Sequence, residues 1–346
     1  YIWPLESRLT PKDIEIGSRL AILEMIKSGT VFFADMYWNR EHTIKAVNEM
    51  GIRATIGVTI SDMLTSEEGL KKNFEFLEGH KLESDRIKLA VMPHSTYTVS
   101  EKIFRKCVKL AHEEGYVLHT HLSETRKEVL DCQKNFGRTP VELMEKFGAL
   151  GKDFVAAHCV HLTSKDFDLL ANSHSHVVLN LCSNLKLSSG IPKIKTMLDK
   201  KINIALGTDG ASSNNNLDMH EEMKLASLLA KAQGKADTLK AEDALAMASL
   251  ATANAYQLKA GIIAEDYLAD GLLIDMNNER MTPGYQVVSD WVYSADSRAI
   301  HSVICNGKFV MQNHHVDGEE EIIAEAKKCV EKYKKPLKSR DSNYDL

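Results

Sequence analysis

Four short stretches of this 346-residue chain gather the side chains best able to do chemistry. They are Pro93-His94, His119-Thr120-His121-Leu122-Ser123-Glu124, His158-Cys159-Val160-His161 and Gly207-Thr208-Asp209-Gly210. Neutral imidazole nitrogens and carboxylate oxygens are the donors that suit a borderline divalent cation such as zinc. One histidine alone is more often a hydrogen-bonded rim or core residue, but several such stretches together reverse that expectation. His119 and His121 are two apart, so in a strand they share a face and either is a candidate ligand. His121 stands nearer the strand's end. Glu124 reads equally as a proton shuttle overhanging the site and as an acid favoured by a helix dipole. Asp209 follows the apolar run Ile204-Ala205-Leu206-Gly207, where an acid is costly unless ionised against a metal or paired. His174 and His176 form another His-x-His pair, but at the start of a run. That is the wrong end for this cluster, and both are expected at the surface.

The chemistry-bearing stretches close apolar runs that must be strands. These runs are Thr30–Tyr37, Arg53–Ile60, Ile87–His94, Tyr116–Glu124, Phe154–Val160, His176–Ser183 and Asn203–Gly210. Near-continuous apolarity predicts parallel strands covered on both faces. Helical segments lie between them. Thr10 reads as an N-cap with Pro11 at the first helical position and Gly29 beyond the last turn, and Ile16, Leu20, Leu23 and Ile26 give a core-facing stripe. Ser100 to Gly115 repeats the scheme, and Thr139-Pro140-Val141-Glu142 has the residues of a capping box. Strands alternating with helices predict right-handed βαβ units in a parallel sheet. A leading helix with no strand before it, and then the seven runs, make an α/β chain: a (β/α)8 TIM-type barrel with strand one absent. Catalytic groups then belong at the C-terminal strand ends, where these stretches fall.

The barrel is expected over residues 1–257, a small β-rich part over 258–318, and a C-terminal helix and tail over 319–346. In the β-rich part Leu268–Met276, Ser289–Tyr293 and Ser302–Met311 read as short strands, and Asn306-Gly307 as a hairpin turn. Composition narrows the function. Lys and Arg number 43 against 48 Asp and Glu, a net charge of −5 without a long basic run, which argues against nucleic-acid binding. No apolar stretch reaches the roughly 18 residues of a membrane span, so no membrane partner is expected. Six scattered cysteines without a Cys-x-x-Cys pair read as free thiols and a cytoplasmic location. The chain opens at Tyr1, not at a methionine.

The motifs resemble those of a known family. They are Trp3-Pro4-Leu5-Glu6-Ser7-Arg8-Leu9-Thr10, Phe33-Ala34-Asp35-Met36-Tyr37, Pro93-His94, His119 to Thr125, His158-Cys159-Val160-His161-Leu162, Ser183 to Leu187, and Leu206 to Gly210 followed by Ser213-Asn214-Asn215. In this order they resemble the amidohydrolase superfamily, and within it the methylthioadenosine/S-adenosylhomocysteine deaminase branch, which also holds chlorohydrolase-like enzymes. The resemblance runs from Tyr1 to about Asn313.

It implies a metal-dependent deaminase in which hydroxide generated at a divalent metal, Zn2+ or else Fe2+, attacks purine C6 and ammonia leaves. His121 and Asp209 would be metal ligands, with Asp209 also taking a proton. Glu124 would protonate the ring nitrogen, His158 would hydrogen-bond the tetrahedral oxygen, His94 would contact substrate, and Glu6 would hold the ribose hydroxyls. A small-molecule substrate and a homo-oligomer are expected. Gly57-Val58-Thr59 stands where adenosylhomocysteine-deaminating members carry an arginine, which favours methylthioadenosine. The family's first-strand His-x-His is absent, so the chain alone is expected to bind metal weakly and to be poorly soluble and inactive. The alternatives are a deaminase of a free base, a triazine-type hydrolase, or a catalytically incompetent barrel acting as an assembly partner.

Overall fold

The apolar runs pair in chain order. β1 (Phe32–Asp35), β2 (Arg53–Ile60), β3 (Ile87–Pro93), β4 (Val117–Leu122), β5 (Phe154–His158), β6 (His176–Leu179) and β7 (Asn203–Leu206) make one parallel sheet, each beside the next. The structure is a computed structural model that describes residues 2–79 and 84–333. One face of the sheet wraps a narrow core of Ala90, Met92, Val117, Val155, Val178 and Ala205, closed by Tyr256. Its other face, with Ile56, Val58, Val91, Leu118, Phe154 and Leu179, packs on the surrounding helices. Burial on both faces is why the runs are apolar throughout. The sheet is a TIM-type half-barrel: among the described residues no ladder joins β1 to β7. The seam between these two edges opens into a cleft of about 1170 Å³, flanked by Ile22, Met25 and Phe32 on one side and Leu206, Leu217 and Thr252 on the other.

Helix ends follow their local chemistry. Thr10 and Asp13 form a reciprocal capping box at the start of helix Pro11–Lys27, and Thr139 and Glu142 do the same for Pro140–Phe147. Ser100 caps Glu101–Glu114, which ends at the left-handed Gly115. The stripe expected on Pro11–Lys27 is rotated: Ile22, Leu23, Met25 and Ile26 are buried, whereas Leu20 is 38% exposed. The final helix, Glu319–Glu331, lies along Pro11–Lys27 through the Arg19–Glu325 and Lys27–Glu319 ion pairs.

A second sheet of β8 (Gly271–Ile274), β9 (Ile300–Cys305) and β10 (Lys308–Met311) is antiparallel in the order β10-β9-β8. Asn306 and Gly307, both with positive φ, make the expected hairpin turn. Ser289–Tyr293, read from sequence as a strand, belongs to helix Val287–Tyr293. Its β-branched residues suggest extension, but burying Trp291 and Val292 against neighbouring helices overrides that preference. The expected tail, 337–346, lies outside the described residues.

Candidate active site

Non-glycine residues in the left-handed region mark the C-terminal ends of three successive chemistry-bearing strands. They are Ser123 (φ 52°) after β4, His158 (72°) and Cys159 (49°) at the end of β5, and Asp209 (62°) after β7. Each such residue costs about 1–3 kcal/mol unless its surroundings hold it. Here they do. The backbone N–H groups of Ser123 and Glu124 donate to the Glu128 carboxylate at 3.0 and 2.8 Å, and that of Gly210 donates to Asp209 Oδ1 at 2.6 Å. These turns aim side chains across the barrel mouth instead of along the strands.

His121 shows what the aiming achieves. Its Nδ1 lies 2.8 Å from the His94 carbonyl oxygen, which can only accept, so Nδ1 carries the hydrogen and Nε2 keeps its lone pair. Burial lowers the pKa of His121, keeping it neutral and ligand-competent. The His158 ring stacks on it at 5.4 Å between centroids. His158 Nδ1 donates to Asn184 Oδ1 at 2.8 Å, which leaves Nε2 4.0 Å from Glu124 Oε2. Ser189 Oγ donates to Glu124 Oε1 at 3.1 Å, and Ser183 Oγ to Asp209 Oδ2 at 2.6 Å.

His94 sits 4.8 Å from His121, ring to ring, with Nδ1 2.9 Å from Thr98 Oγ1. Burial pushes its pKa down to about 3, and His121 adds to the effect. At neutral pH it is an uncharged hydrogen-bonding group on the cleft wall. Glu6, at the end of helix Ile2–Glu6, takes a 2.9 Å hydrogen bond from Tyr37 Oη.

Glu6, His94, His121, His158 and Asp209 therefore line one cleft, and Glu124 stands against His158 at its edge. His119 shares the inner face with His121, as alternation requires, but its Nδ1 meets Tyr256 Oη at 3.1 Å. His176 departs from expectation. It is 9% exposed, with Nε2 donating to the Lys152 carbonyl and Nδ1 accepting from Asn203, while His174 is exposed.

The donor chemistry of His121 and Asp209 suits a divalent cation, but a catalytic zinc takes three protein ligands and a structural one four. Among the described residues no group of three or more His, Cys, Asp or Glu side chains converges as a metal site. His121 and Asp209 are thus two candidate donors in the cleft beside the open seam. Sequence reasoning missed the supporting groups Glu128, Ser183, Asn184 and Ser189. Glu128 carried a faint signal, a carboxylate four residues after Glu124, which reads equally well as an ordinary first-turn acid.

The amidohydrolase family matches residues 3–310. The chain is 40% identical over 336 residues to a 5′-deoxyadenosine deaminase of Methanospirillum hungatei, covering 95% of this chain and 75% of that protein. It is 41% identical over 319 residues to a 5-methylthioadenosine/S-adenosylhomocysteine deaminase of Thermococcus sibiricus, covering 90% and 74%. An adenosine deaminase from Xanthomonas campestris with bound zinc superimposes with a TM-score of 0.92 at 29% identity, covering 96% of this chain and 78% of that one. Atrazine chlorohydrolase from Arthrobacter aurescens shares the fold at a TM-score of 0.86 and 19% identity, covering 95% and 79%.

Proposed function

We propose, from the premise that this chain belongs to the amidohydrolase family, that it is a hydrolytic deaminase of a 5′-substituted adenosine. The observation that carries this reading is the convergence of His121, His158 and Asp209 in one cleft, with Glu124 against His158 and Glu6 at the rim. Water adds across the C6=N1 bond of the purine, its oxygen to C6 and a proton to N1. The C6–NH2 bond then breaks as the C6 hydroxyl returns its proton to Glu124, and the amine leaves as ammonia with the proton that Asp209 took from the water. A divalent cation at His121 and Asp209, zinc before iron(II), would supply Lewis acidity that brings the pKa of water toward about 7.

The chain's own groups manage the rest. Glu124 delivers a proton to N1, and Asp209 accepts the proton lost by the attacking water. His158, whose Nδ1–H is given to Asn184, accepts at Nε2 a hydrogen bond from the hydroxyl that forms on C6. His94 contacts the base. Glu6, fixed by Tyr37, accepts hydrogen bonds from the ribose hydroxyls.

One feature favours a small, uncharged 5′ substituent such as deoxy or methylthio over one bearing a carboxylate: Gly57 on β2 has no space for a side chain, since a Cβ would meet Met92 Sδ at 2.1 Å. Glu6 speaks against a free base, which has no ribose for it to hold. Because the described residues offer two metal donors where a catalytic zinc takes at least three, full turnover is proposed to need a strand in the seam that brings the remainder. Ammonia release from 5′-deoxyadenosine, 5′-methylthioadenosine, S-adenosylhomocysteine and adenine tests the substrate class. The first two should be turned over fastest, and equal rates on adenine would overturn the reading.

A further inference from the structure

The last described turn of the chain reaches the rim of the cleft. The final helix packs along Pro11–Lys27 through buried Ile322 and Ala326, and at its C-terminal end Cys329, Lys332 and Tyr333 close on one carboxylate. That carboxylate is Asp13, 7% exposed. Its Oδ1 accepts from Cys329 Sγ at 3.1 Å and from the Lys332 ammonium, and its Oδ2 accepts from Tyr333 Oη at 2.6 Å. The same Oδ2 accepts from Thr10 N and Thr10 Oγ1, at 2.8 and 2.6 Å.

Tyr333 also touches the segment upstream. Its Oη lies 3.3 Å from the Arg8 carbonyl, and the Arg8 guanidinium stands 5.4 Å over its ring. Arg8 is two residues from Glu6, and both line the cleft. Between them the segment's own hydrogen bonds among the described residues are three: Arg8 N to Leu5 O and Leu9 N to Glu6 O, both at 3.0 Å, and Ser7 Oγ to the Pro4 carbonyl at 3.1 Å. A tight turn with so few bonds of its own takes its position from what flanks it. On one side Tyr37 holds the Glu6 carboxylate, and on the other Tyr333 and Asp13 hold Arg8 and Thr10.

We infer that Tyr333 is a positioning residue for nucleoside binding: with Asp13 it latches the Arg8–Thr10 turn and so sets where Glu6 presents its carboxylate. The inference rests on the proposed role of Glu6 toward ribose. It makes the C-terminal helix part of the substrate site although none of its residues touches substrate.

The test uses the 346-residue chain with Tyr333→Phe, which keeps the ring under Arg8 and removes the hydroxyl, and with Tyr333→Ala, which removes both. Hydrogen–deuterium exchange at the Arg8 and Leu9 amides should accelerate in both variants, by about tenfold for the loss of one hydrogen bond to a charged group. The dissociation constant for 5′-deoxyadenosine should rise by a similar factor while that for adenine stays put. A merely structural role would move both ligands together. Glu6→Ala, run beside them, separates the two claims. If Glu6→Ala erases the nucleoside preference and the Tyr333 variants change neither exchange nor affinity, the latch is refuted and the ribose reading stands. If Glu6→Ala leaves the preference intact, the ribose reading itself fails.

Discussion

Replacing Glu128 by glutamine changes one atom in a buried group that never meets substrate. The carboxylate accepts from Ser123 N at 3.0 Å, Glu124 N at 2.8 Å and Thr96 Oγ1 at 3.3 Å. An amide has one acceptor oxygen, so its NH2 must face one of the two backbone donors. That leaves a buried N–H unpaired, at a cost of about 1–3 kcal/mol. The bonds being lost hold Ser123 in the left-handed region, itself a cost of about 1–3 kcal/mol. Strain and restraint are then of equal size, and the turn relaxes. Glu124 moves with it, and a displacement near 1 Å at a reacting group costs roughly 10² in rate. Glu128→Gln should lower kcat for deamination about a hundredfold. It should leave zinc content and the KM for nucleoside near wild type, because His121 lies within β4 and is fixed by its bond to the His94 carbonyl, and Asp209 and Glu6 stand on other elements. The assay is ammonia release with zinc present, in the chain completed by a seam strand, with metal analysis of the same preparation. Wild-type turnover, or a loss of zinc matching the loss of rate, would refute the reasoning.

Two further outcomes follow from the same geometry. Glu124→Gln should keep metal content while turnover falls by roughly 10²–10⁴, and Asp209→Asn should lower both; equal metal loss in the two variants would contradict the division of roles. Asp35, beside Thr43, has its pKa raised by burial to about 6 from 3.8. The unfolded chain therefore loses this proton first, and the cost of the buried carboxylate develops as pH rises from 3.8 to about 6. Asp35→Asn should stabilise the fold by about 1–3 kcal/mol above pH 6 and by nothing below pH 3.8, read by urea unfolding at the two extremes; a gain independent of pH would point to another cause.

The parts of this fold legible in sequence are those where one physical demand dominates. Strands buried on both faces must be apolar throughout, so Arg53–Ile60 and Phe154–His158 announce themselves. Asn306-Gly307 and the Thr139–Glu142 box are local chemistry with local consequences. The site's first layer was legible for the same reason: polar residues at the ends of apolar strands are costly unless used. What stayed hidden depends on partners distant in sequence. Val287–Tyr293 is helical because of what it packs against. His176 is buried because Asn203 and the Lys152 carbonyl satisfy its ring, and no pattern around it foretells either partner. Glu128 acts on Glu124 through a turn whose left-handed residue, Ser123, is not glycine, so the usual marker is missing.

The central claim is that the mouth of this half-barrel is a deaminase site whose described residues supply two metal donors and all the proton-handling groups. Ammonia release from 5′-deoxyadenosine in added zinc tests it most directly, comparing the 346-residue chain alone with the same chain joined to a strand that ends in His-x-His and fills the seam. The account predicts negligible release from the first and deamination with about one zinc per chain from the second. Equal rates from both would show that the site is complete without the strand. A completed, zinc-loaded chain that releases no ammonia would contradict the assignment of the site itself.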